Sequence, residues 1–403
     1  MSPSRRILLA DADAFFVAVA RLADPEGAGR SPLLIVGGSA ESRGVVCSAS
    51  YEARQFGVRS AMPTARAIRL CPQAMVVPVP GRECRRRSRE IRAVLDRFAP
   101  RVQGASIDEW YLDLEGTEAL YEHAPLTEIA HRIRHAVIAE TGLTISLGGG
   151  TTKLVAKLAV ERAKPKPGNG ADGVFVVASG EELAFMSTLV LADIPGVGPK
   201  TTARLAELGL VAVRDVLALD AAALERLVGA RDAGWLAERV RGIDEGEVAD
   251  RDVAKSISRD ETFASDISDD VLLEGELSEL AGRAAADLRG ESLTARTVTV
   301  RIRDADFTNR SASRTVNESL ASDRAIFTVA RELLTKLRRS RRVPARLLGV
   351  ALSNFTAPAA TQLALFGATA TPLESPRDVE LSRAMDEVRA RFGRGAIAPG
   401  RRR

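Results

Sequence analysis

The chain has 403 residues, which exceeds one ordinary domain and predicts two to four domains. Hydrophobic residues make up 45% of it and the formal net charge is +4, so it can form several cores and can bind a polyanion. Its three cysteines lack metal-ligand spacing and no apolar run reaches about 18 residues, which argues against a disulfide-rich secreted protein and a membrane protein; we expect a cytoplasmic location.

Up to residue 163 the chain alternates short apolar runs with helical patterns, which predicts a mixed α+β layer domain. Apolar runs predict strands at residues 6–10, 33–36, 45–49, 75–79 and 144–147. Helical spacing predicts helices at residues 15–23, 63–70, 82–98, 126–140 and 153–163. Residues 102–114 are typical of a β-hairpin, and the glycine-rich stretch 148–152 is interpreted as a loop.

A change of composition follows at residues 164–170, a loop rich in Lys, Pro and Gly, and short helical segments continue to about residue 243. Residues 194–201 fit a helix-hairpin-helix turn. In such a turn Gly196 and Gly198 would let backbone N–H groups approach a DNA phosphate, and Lys200 would add a positive charge. The alternative is an ordinary Gly/Pro turn between two helices.

A charged linker at residues 244–254 leads into a second α+β unit. Its helices are predicted near residues 270–289 and 323–340, and its strands at 297–303 and 347–354. The first of these strands alternates Val and Ile with Thr and Arg, so we expect one buried face and one polar, basic face. A last helix is predicted near residues 376–392.

Carboxylates follow two of the predicted strands. Asp11 and Asp13 end the first strand, and Asp108 and Glu109 lie at the tip of the predicted hairpin. If the two strands are neighbours, Asp11, Asp108 and Glu109 converge, and such oxygen ligands suit Mg²⁺ ions that carry phosphates. The alternative is that they are surface charges at strand ends. Asp13 is expected either to support the ligands from behind or to cap a turn.

Three sequence blocks carry a resemblance to one enzyme family. They are LADADAFF at residues 9–16, SYEARQFGVRSAMP at 50–63 and SIDE at 106–109. These blocks are similar to the signature blocks of the Y-family translesion DNA polymerases, in particular the bacterial DNA polymerase IV (DinB-type) branch, and the resemblance extends over about residues 5–366. It implies error-prone, template-directed DNA synthesis by two-metal nucleotidyl transfer to a primer 3′-OH.

The resemblance also implies a multidomain α+β fold, a right-hand polymerase with a helical thumb. The palm would be residues 1–22 and 80–170, the fingers 23–79, the thumb 171–243, the little finger 255–357, and the tail 358–403. The small fingers imply a roomy active site. The expected partners are primer-template DNA, a deoxynucleoside triphosphate and the bacterial sliding clamp, and the chain is expected to be a monomer. The alternative is a non-catalytic clamp-binding adaptor of the same family, although such a protein could lack the carboxylates that are present here.

Roles for the carboxylates follow from the same resemblance. Asp11 and Asp108 would bridge two Mg²⁺ ions, and Glu109 would hold the ion at the primer 3′-OH. The backbone carbonyl of Ala12 would complete the ion on the nucleotide side.

Phe16 would be the steric gate that excludes ribonucleotides; the alternative is a core residue like Phe15. The other candidate nucleotide-binding residues are Ser48, Tyr51, Arg54 and Lys164. Tyr51 and Arg54 lie about one helical turn apart and therefore share a face suited to phosphate oxygens. Whether Lys164 or Lys166 reaches the triphosphate stays open, because the local KPKP sequence is unusual.

Arginines concentrate in the second unit, where they predict sequence-independent contacts to DNA phosphates. The candidates are Arg301, Arg303, Arg310, Arg314, Arg339 and Arg342. A solvated charged surface is the alternative. In the tail, Gln362, Leu363, Leu365 and Phe366 resemble the peptide by which bacterial polymerases dock on the sliding clamp; the alternative is a fragment of strand or core.

Overall fold

The computed structural model describes residues 5–166, 168–249, 254–356, 372–393 and 396–397. The chain forms two compact units. One contains the described residues of Met1–Ala40 and Gly44–Asp252, and the other contains those of Glu41–Arg43 and Val253–Arg403. No helix among the described residues has the length and apolar character needed to cross a membrane.

The first unit alternates strands and helices over most of its length. Its strands are β1 (Ile7–Ala12), β2 (Leu34–Gly37), β3 (Val46–Ala49), β4 (Met75–Val77), β5 (Arg101–Gly104), β6 (Glu109–Asp113), β7 (Ile145–Gly150) and β8 (Val174–Val176). Its helices are α1 (Phe15–Ala23), α2 (Tyr51–Gln55), α3 (Thr64–Leu70), α4 (Gly81–Leu95), α5 (Leu126–Thr141), α6 (Lys153–Ala163), α7 (Glu182–Ser187), α8 (Pro199–Glu207), α9 (Val213–Leu217), α10 (Ala221–Val228) and α11 (Ala230–Arg239).

The larger sheet of this unit has the strand order β5-β6-β1-β7-β8, with β1 at its centre. β1 pairs antiparallel with β6 and with β7, and β5 pairs with β6 as the predicted hairpin. Leu8 and Ala10 of β1 face a core shared with α4 and α5, whereas Ile7 and Leu9 pack against α6. Because both faces of β1 are covered, its sequence is continuously apolar up to Asp11.

The glycines of the stretch 148–152 belong to a strand, so the predicted loop is wrong for them. They complete β7 opposite residues 7–9 of β1. A Cβ atom on Gly148 would lie 2.1 Å from the Val160 nitrogen and 2.3 Å from the Ala156 oxygen. Glycine is needed here because the backbone of α6 lies directly on the strand.

The sequence also misses β8, which lies at the edge of the same sheet and runs parallel to β7. A strand of three residues is too short to show a hydrophobic period. The short helices predicted after it are confirmed, and α7 to α11 pack around a core that includes Leu191, Leu205 and Leu224. A smaller sheet with the order β3-β2-β4 lies between α1 and α4 in the sequence.

The first part of the predicted linker packs against the first unit. Val248 is buried beside β1 and α6. The Asp244 carboxylate accepts a hydrogen bond of 3.2 Å from the Leu154 N–H at the start of α6. Lys153 donates to the Glu247 carbonyl over 3.2 Å. Residues 244–248 therefore hold the first turn of α6 in place.

The second unit is a sheet with helices on one face. Its elements are β9 (Ser256–Ile267), α12 (Asp270–Gly290), β10 (Thr294–Asp304), β11 (Asn309–Leu320), α13 (Asp323–Ser340), β12 (Ala345–Thr356) and α14 (Pro376–Phe392). The antiparallel strand order is β11-β10-β12-β9, and α12 and α13 cover one face. The predicted helices and central strands are confirmed. The edge strands β9 and β11 escape prediction because an exposed edge strand carries few apolar residues.

Helix α14 is confirmed and packs on the second unit. Arg289 of α12 donates to Asp386 of α14 over 2.7 and 2.9 Å, and it pairs with Asp323 of α13 at 2.9 Å. The Ser382 hydroxyl accepts a hydrogen bond of 3.1 Å from the Asp323 N–H, and Met385 is buried. The helix is therefore an integral part of this unit.

Candidate active site

The end of β1 and the start of β6 bring the predicted carboxylates to one end of the sheet. Asp11 lies directly opposite Glu109 in the antiparallel register. The Ala12 N–H donates to the Asp108 carbonyl over 2.9 Å, which continues the pairing past the strand end. The two strand ends are therefore neighbours, as the sequence predicts.

Asp11 is almost buried and pairs with a lysine. The Lys164 ammonium lies 3.0 Å from the Asp11 carboxylate and 2.6 Å from Glu161. Burial raises the pKa of Asp11 to about 7, although the nearby Lys164 opposes the shift. Burial of Lys164 works against its charge, but the Asp11 and Glu161 carboxylates raise its pKa above the ordinary range. Lys164 lies at the carboxylates, whereas Lys166 is exposed.

The other two carboxylates have partners of their own. Lys157 lies on α6, the helix that ends just before Lys164. It donates a hydrogen bond to Glu109 over 2.5 Å. Asp108 accepts a hydrogen bond of 2.5 Å from the Ser106 hydroxyl within the hairpin tip. The charge of Glu109 is thus neutralised within the protein.

Within the part of the chain that the structure describes, no three His, Cys, Asp or Glu side chains are grouped closely enough to hold a metal ion. Two of the carboxylates, those of Asp11 and Glu109, form ion pairs with lysines instead. The donor set still fits Mg²⁺, because its preferred ligands are carboxylate and carbonyl oxygens. Burial raises the pKa of Asp11 because it disfavours the charged carboxylate, and a nearby cation would stabilise that charge. The types of donor at this end of the sheet therefore suit a divalent cation.

Asp13 lies behind this group of carboxylates. It is buried and accepts a hydrogen bond of 2.7 Å from the Ser146 hydroxyl, and its own N–H donates to the Thr144 carbonyl over 3.0 Å. Burial raises the pKa of Asp13. These contacts tie Asp13 to β7 and favour a supporting position over a turn cap.

The turn from β1 into α1 separates two neighbouring phenylalanines. Ala14 adopts left-handed backbone angles, with φ 43° and ψ 43°, and redirects the chain at the start of α1. Phe15 is buried in the core, whereas Phe16 is half-buried, with its ring centroid 5.5 Å from that of Phe15. Both rings thus contact the core, but Phe15 is buried whereas Phe16 is only partly buried.

The predicted phosphate-binding residues of the smaller sheet lie around the start of α2. Ser50 caps this helix by accepting a hydrogen bond of 3.2 Å from the Ala53 N–H. The Arg54 guanidinium lies 5.2 Å from the centre of the Tyr51 ring, which confirms that the two side chains share a face. Burial and the charge of Asp13 raise the pKa of Tyr51, so this ring lies near the carboxylates. Ser48 is buried on β3.

The predicted helix-hairpin-helix turn leads into α8. Gly196 has φ +100°, and a Cβ atom there would lie 2.8 Å from the Trp235 ring, so glycine is required. Gly198 precedes Pro199, the first residue of α8. Gly196, Gly198 and Lys200 are exposed, which leaves this helix start open to an anion.

The candidate arginines of the second unit divide between the two faces of its sheet. Arg301 and Arg303 lie on the open face, in register with Ser311 and Asn309 of β11. Arg301 donates to Asp260 over 2.9 Å, and Arg303 donates to Asn309 over 2.7 Å. Both stand on the polar face that the alternating sequence predicts.

Arg310 and Arg314 lie on the opposite, helix-covered side, because they are in register with the buried Ile302 and Val298. Arg310 makes two hydrogen bonds, of 2.7 and 2.9 Å, to the buried Asp304. Arg314 pairs with Glu332 of α13. Arg310 stabilises the unit through its pair with the buried Asp304, whereas the pair of Arg314 with Glu332 is exposed. Only strand register, which the sequence does not reveal, separates these two arginines from the open face.

Arg339 and Arg342 lie at the end of α13 and beyond it, and both are exposed. Arg342 donates to Asp270 over 2.7 Å. The clamp-binding candidates Gln362, Leu363, Leu365 and Phe366 lie outside the residues that the structure describes.

Comparison with known proteins places this geometry in a family. Residues 10–161 match the model of the impB/mucB/samB family, and residues 254–365 match the model of the C-terminal domain of that family. A protein named DNA polymerase IV from Dehalococcoides mccartyi (strain CBDB1) is 37% identical over 98% of this chain and 97% of its own length. A DNA polymerase IV from Caulobacter vibrioides is 34% identical over 97% of this chain and 92% of its own.

Solved structures agree with these matches. A Y-family DNA polymerase chimera, Dbh-Dpo4(243-245)-Dbh, has a TM-score of 0.76 and 26% identity, and the match covers 87% of this chain and 99% of that one. The chain belongs to the Y-family DNA polymerases. DinB from Sulfolobus solfataricus matches with a TM-score of 0.57 over the same shares. The polymerase therefore has the multidomain α+β architecture that its signature blocks imply.

One residue of the polymerase's site is absent from the sequence prediction. Lys157 contacts Glu109, yet a lysine on a predicted helix is most often interpreted as part of a solvated face. Its spacing from Lys164 could have revealed it, because residues seven apart on a helix point to the same side.

Proposed function

We propose that this DNA-directed DNA polymerase performs error-prone translesion synthesis with the carboxylates of β1 and β6 as its catalytic centre. The observation that carries the proposal is the register of Asp11 opposite Glu109, with Asp108 adjoining. Two of the three acidic residues at this sheet end pair with lysines, and the three together offer the oxygen donors that a divalent cation prefers. In a polymerase that cation serves nucleotidyl transfer.

Two Mg²⁺ ions are the cofactors we propose, with Asp11, Asp108, Glu109 and the Ala12 carbonyl as their ligands. When bound, they would supply activation of the primer 3′-OH and neutralisation of the triphosphate charge. The hydrogen bond from Ser146 to Asp13 holds the end of β1 against β7. This contact and the backbone pairing of the strands would together keep the proposed metal ligands in position.

Tyr51, Arg54 and Lys164 are the groups we propose for the triphosphate, with Ser48 beside them. A guanidinium and an ammonium match phosphate oxygens, and the phenol adds a donor. Lys164 is favoured over the exposed Lys166 because it already lies among carboxylates that a metal-bound nucleotide would approach. The accessible ring of Phe16 is proposed to contact the sugar and to exclude a 2′-OH.

The domain assignment stays as the sequence predicts, with one proposed adjustment. The palm would extend to residue 176, because β8 belongs to the sheet of β1. The thumb helices would contact DNA through Gly196, Gly198 and Lys200. The open face of the second unit would contact it through Arg301 and Arg303, and the end of α13 through Arg339 and Arg342, whereas Arg310 has a structural role and Arg314 pairs with Glu332.

Lesion tolerance is inferred from the fingers. Between α1 and α4 the smaller sheet has only short strands, so few groups can enclose the templating base. Gln362, Leu363, Leu365 and Phe366 are proposed to bind the sliding clamp, as hydrophobic anchors of a short peptide. We propose that the polymerase acts on primer-template DNA as a monomer.

Primer extension tests this function directly. Wild type and Asp108→Ala are compared with Mg²⁺, a primer-template and all four deoxynucleotides. Loss of an acid proposed to bridge both ions should reduce extension by about 10³-fold or more. Glu115→Ala is the matched control, since it removes an exposed acid just beyond the same hairpin. Equal extension by wild type and Asp108→Ala would instead favour a non-catalytic adaptor.

A further inference from the structure

Lys157 in α6 and Lys164 at the C-terminal end of this helix contact carboxylates of the candidate site. The Lys157 ammonium is 2.5 Å from Glu109, and the Lys164 ammonium is 3.0 Å from Asp11. They are seven residues apart, about two helical turns, so both point from one side of the helix. Each therefore contacts a different proposed metal ligand.

The two contacts differ in their surroundings. Lys164 also pairs with Glu161 at 2.6 Å, so its charge keeps a carboxylate partner if Asp11 is taken up by another ligand. Lys157 pairs with the Glu109 oxygen Oε1 while about a quarter of each side chain remains exposed, 29% and 26%. The ion pair of Lys157 is thus partly shielded from water and directed at one ligand atom.

We infer that Lys157 competes with the divalent cation for the Glu109 carboxylate and weakens the binding of that cation until it moves away. The inference rests on the proposed metal site. An ammonium and a divalent cation repel each other, so the cation binds Glu109 more weakly while Lys157 is in contact with the same carboxylate. Lys157 therefore competes with metal in the DNA-free polymerase, and Glu109 is released only when the lysine finds another anion.

Substrate phosphates supply that anion. Once the primer and the triphosphate are in place, Lys157 can pair with a phosphate oxygen and leave Glu109 free. Metal binding and substrate binding then favour each other. A substrate phosphate draws Lys157 away from Glu109 and so opens this carboxylate to the metal, and a metal at Glu109 leaves Lys157 free to bind a phosphate. Lys157 is accordingly a positioning residue that couples metal loading to the arrival of DNA and nucleotide.

The test measures metal affinity rather than synthesis. Mn²⁺ is the probe, and free Mn²⁺ is followed by its electron paramagnetic resonance signal with full-length protein and no DNA. Lys157→Met should bind Mn²⁺ about three- to tenfold more tightly than wild type, the range expected for loss of a partly exposed ion pair. Lys157→Gln repeats the comparison if the Met variant does not fold.

Two controls define the effect. Lys153→Met removes a lysine one turn earlier on α6, which contacts Gln103 and the Glu247 carbonyl, and should leave Mn²⁺ affinity unchanged. Lys157→Arg retains the charge and should bind Mn²⁺ as weakly as wild type. Equal affinities of wild type and both uncharged Lys157 variants would overturn the inference, and so would an equal gain in Lys153→Met.

A second titration separates this inference from the proposed metal site. Primer-template and a non-hydrolysable deoxynucleotide are added, and Glu109→Gln is included. We expect wild type to gain Mn²⁺ affinity on this addition more than Lys157→Met does. If wild type and Glu109→Gln bind Mn²⁺ alike even then, the proposed site itself is wrong. If only the difference between Lys157→Met and wild type is missing, the site stands and the coupling role fails.

Discussion

The sheet that carries the carboxylates and the sheet of the second unit use polar residues in opposite ways. In the first, helices cover both faces of β1, and charged groups gather only where the strand ends. In the second, helices cover one face, and the other carries hydroxyls and arginines along its whole length. Chemistry requires a few charges fixed at one point, whereas binding a polyanion requires many weak donors spread over a surface.

The cost of polar groups differs accordingly. Asp11 and Asp13 are buried, burial raises the pKa of each, and each needs a partner inside the protein. On the open face, Thr297 pairs with Thr315 and Thr299 with Ser313 through hydroxyl contacts of 2.8 Å that can exchange with water. Changes at the buried end should therefore affect rate or folding, and changes on the open face should affect affinity and its dependence on salt.

The largest effect is expected from Asp11→Asn. The substitution removes a negative charge but keeps the size of the side chain, so extension should fall by about 10³-fold while DNA affinity changes little. Primer extension and fluorescence anisotropy measure the two quantities. An equal loss of extension and of DNA affinity would mean that the carboxylate end of the first sheet also controls DNA binding, which would contradict the comparison of the two sheets.

Discrimination between sugars should depend on Phe16. Phe16→Ala would open space for a 2′-OH and should increase ribonucleotide incorporation by about 10- to 100-fold relative to wild type. Single-nucleotide insertion with ribo- and deoxynucleotides gives the ratio. Phe15→Leu is the control, since Phe15 is buried in the core. Unchanged discrimination in Phe16→Ala would show that another group contacts the sugar.

The fit of α6 on β7 should appear in stability. Gly148→Ala would place a methyl group against backbone atoms of α6, and overpacking of this kind costs about 1–3 kcal/mol or more. Calorimetry should show a lower unfolding temperature. Gly275→Ala is the matched control, because nothing lies within 4 Å of the added Cβ in α12 and the helix should be stabilised slightly.

The smallest effect is expected on the open face. Arg301→Ala combined with Arg303→Ala should weaken DNA binding about tenfold and lower the slope of log K against log salt by about 2. Anisotropy titrations at several salt concentrations measure both. Arg310→Ala should instead lower stability, because it removes one of the two arginines that pair with the buried Asp304, the other being Arg341. A change of slope in Arg310→Ala as large as in the double variant would contradict the division between faces.

Local patterns were sufficient to predict the carboxylate end of the sheet. An apolar run ending in Asp11 and a hairpin tip with Asp108 and Glu109 require only strand periodicity, and the register then places Asp11 opposite Glu109. The distinction between Phe15 and Phe16 depends instead on the family resemblance, because both rings contact the core.

Features that depend on long-range packing could not be predicted. Glycines usually mark turns, so the sequence predicts a loop at Gly148, whereas this glycine allows contact between a strand and a helix. Arg310 and Arg314 look like Arg301 in the sequence, but strand register turns them toward the helices. Lys157 resembles any solvated lysine until its contact with Glu109 is known.

The docking of α14 affects how the polymerase can be shortened or fused to other proteins. The match to the family's C-terminal domain ends at residue 365, which suggests a natural point for truncation. A chain cut there would lose Asp386 and leave the nearly buried Arg289 guanidinium with fewer acceptors. Such a variant should be harder to purify in folded form, whereas a tag added after residue 397 would preserve the described contacts of the helix, including the one between Arg389 and the Ile397 carbonyl.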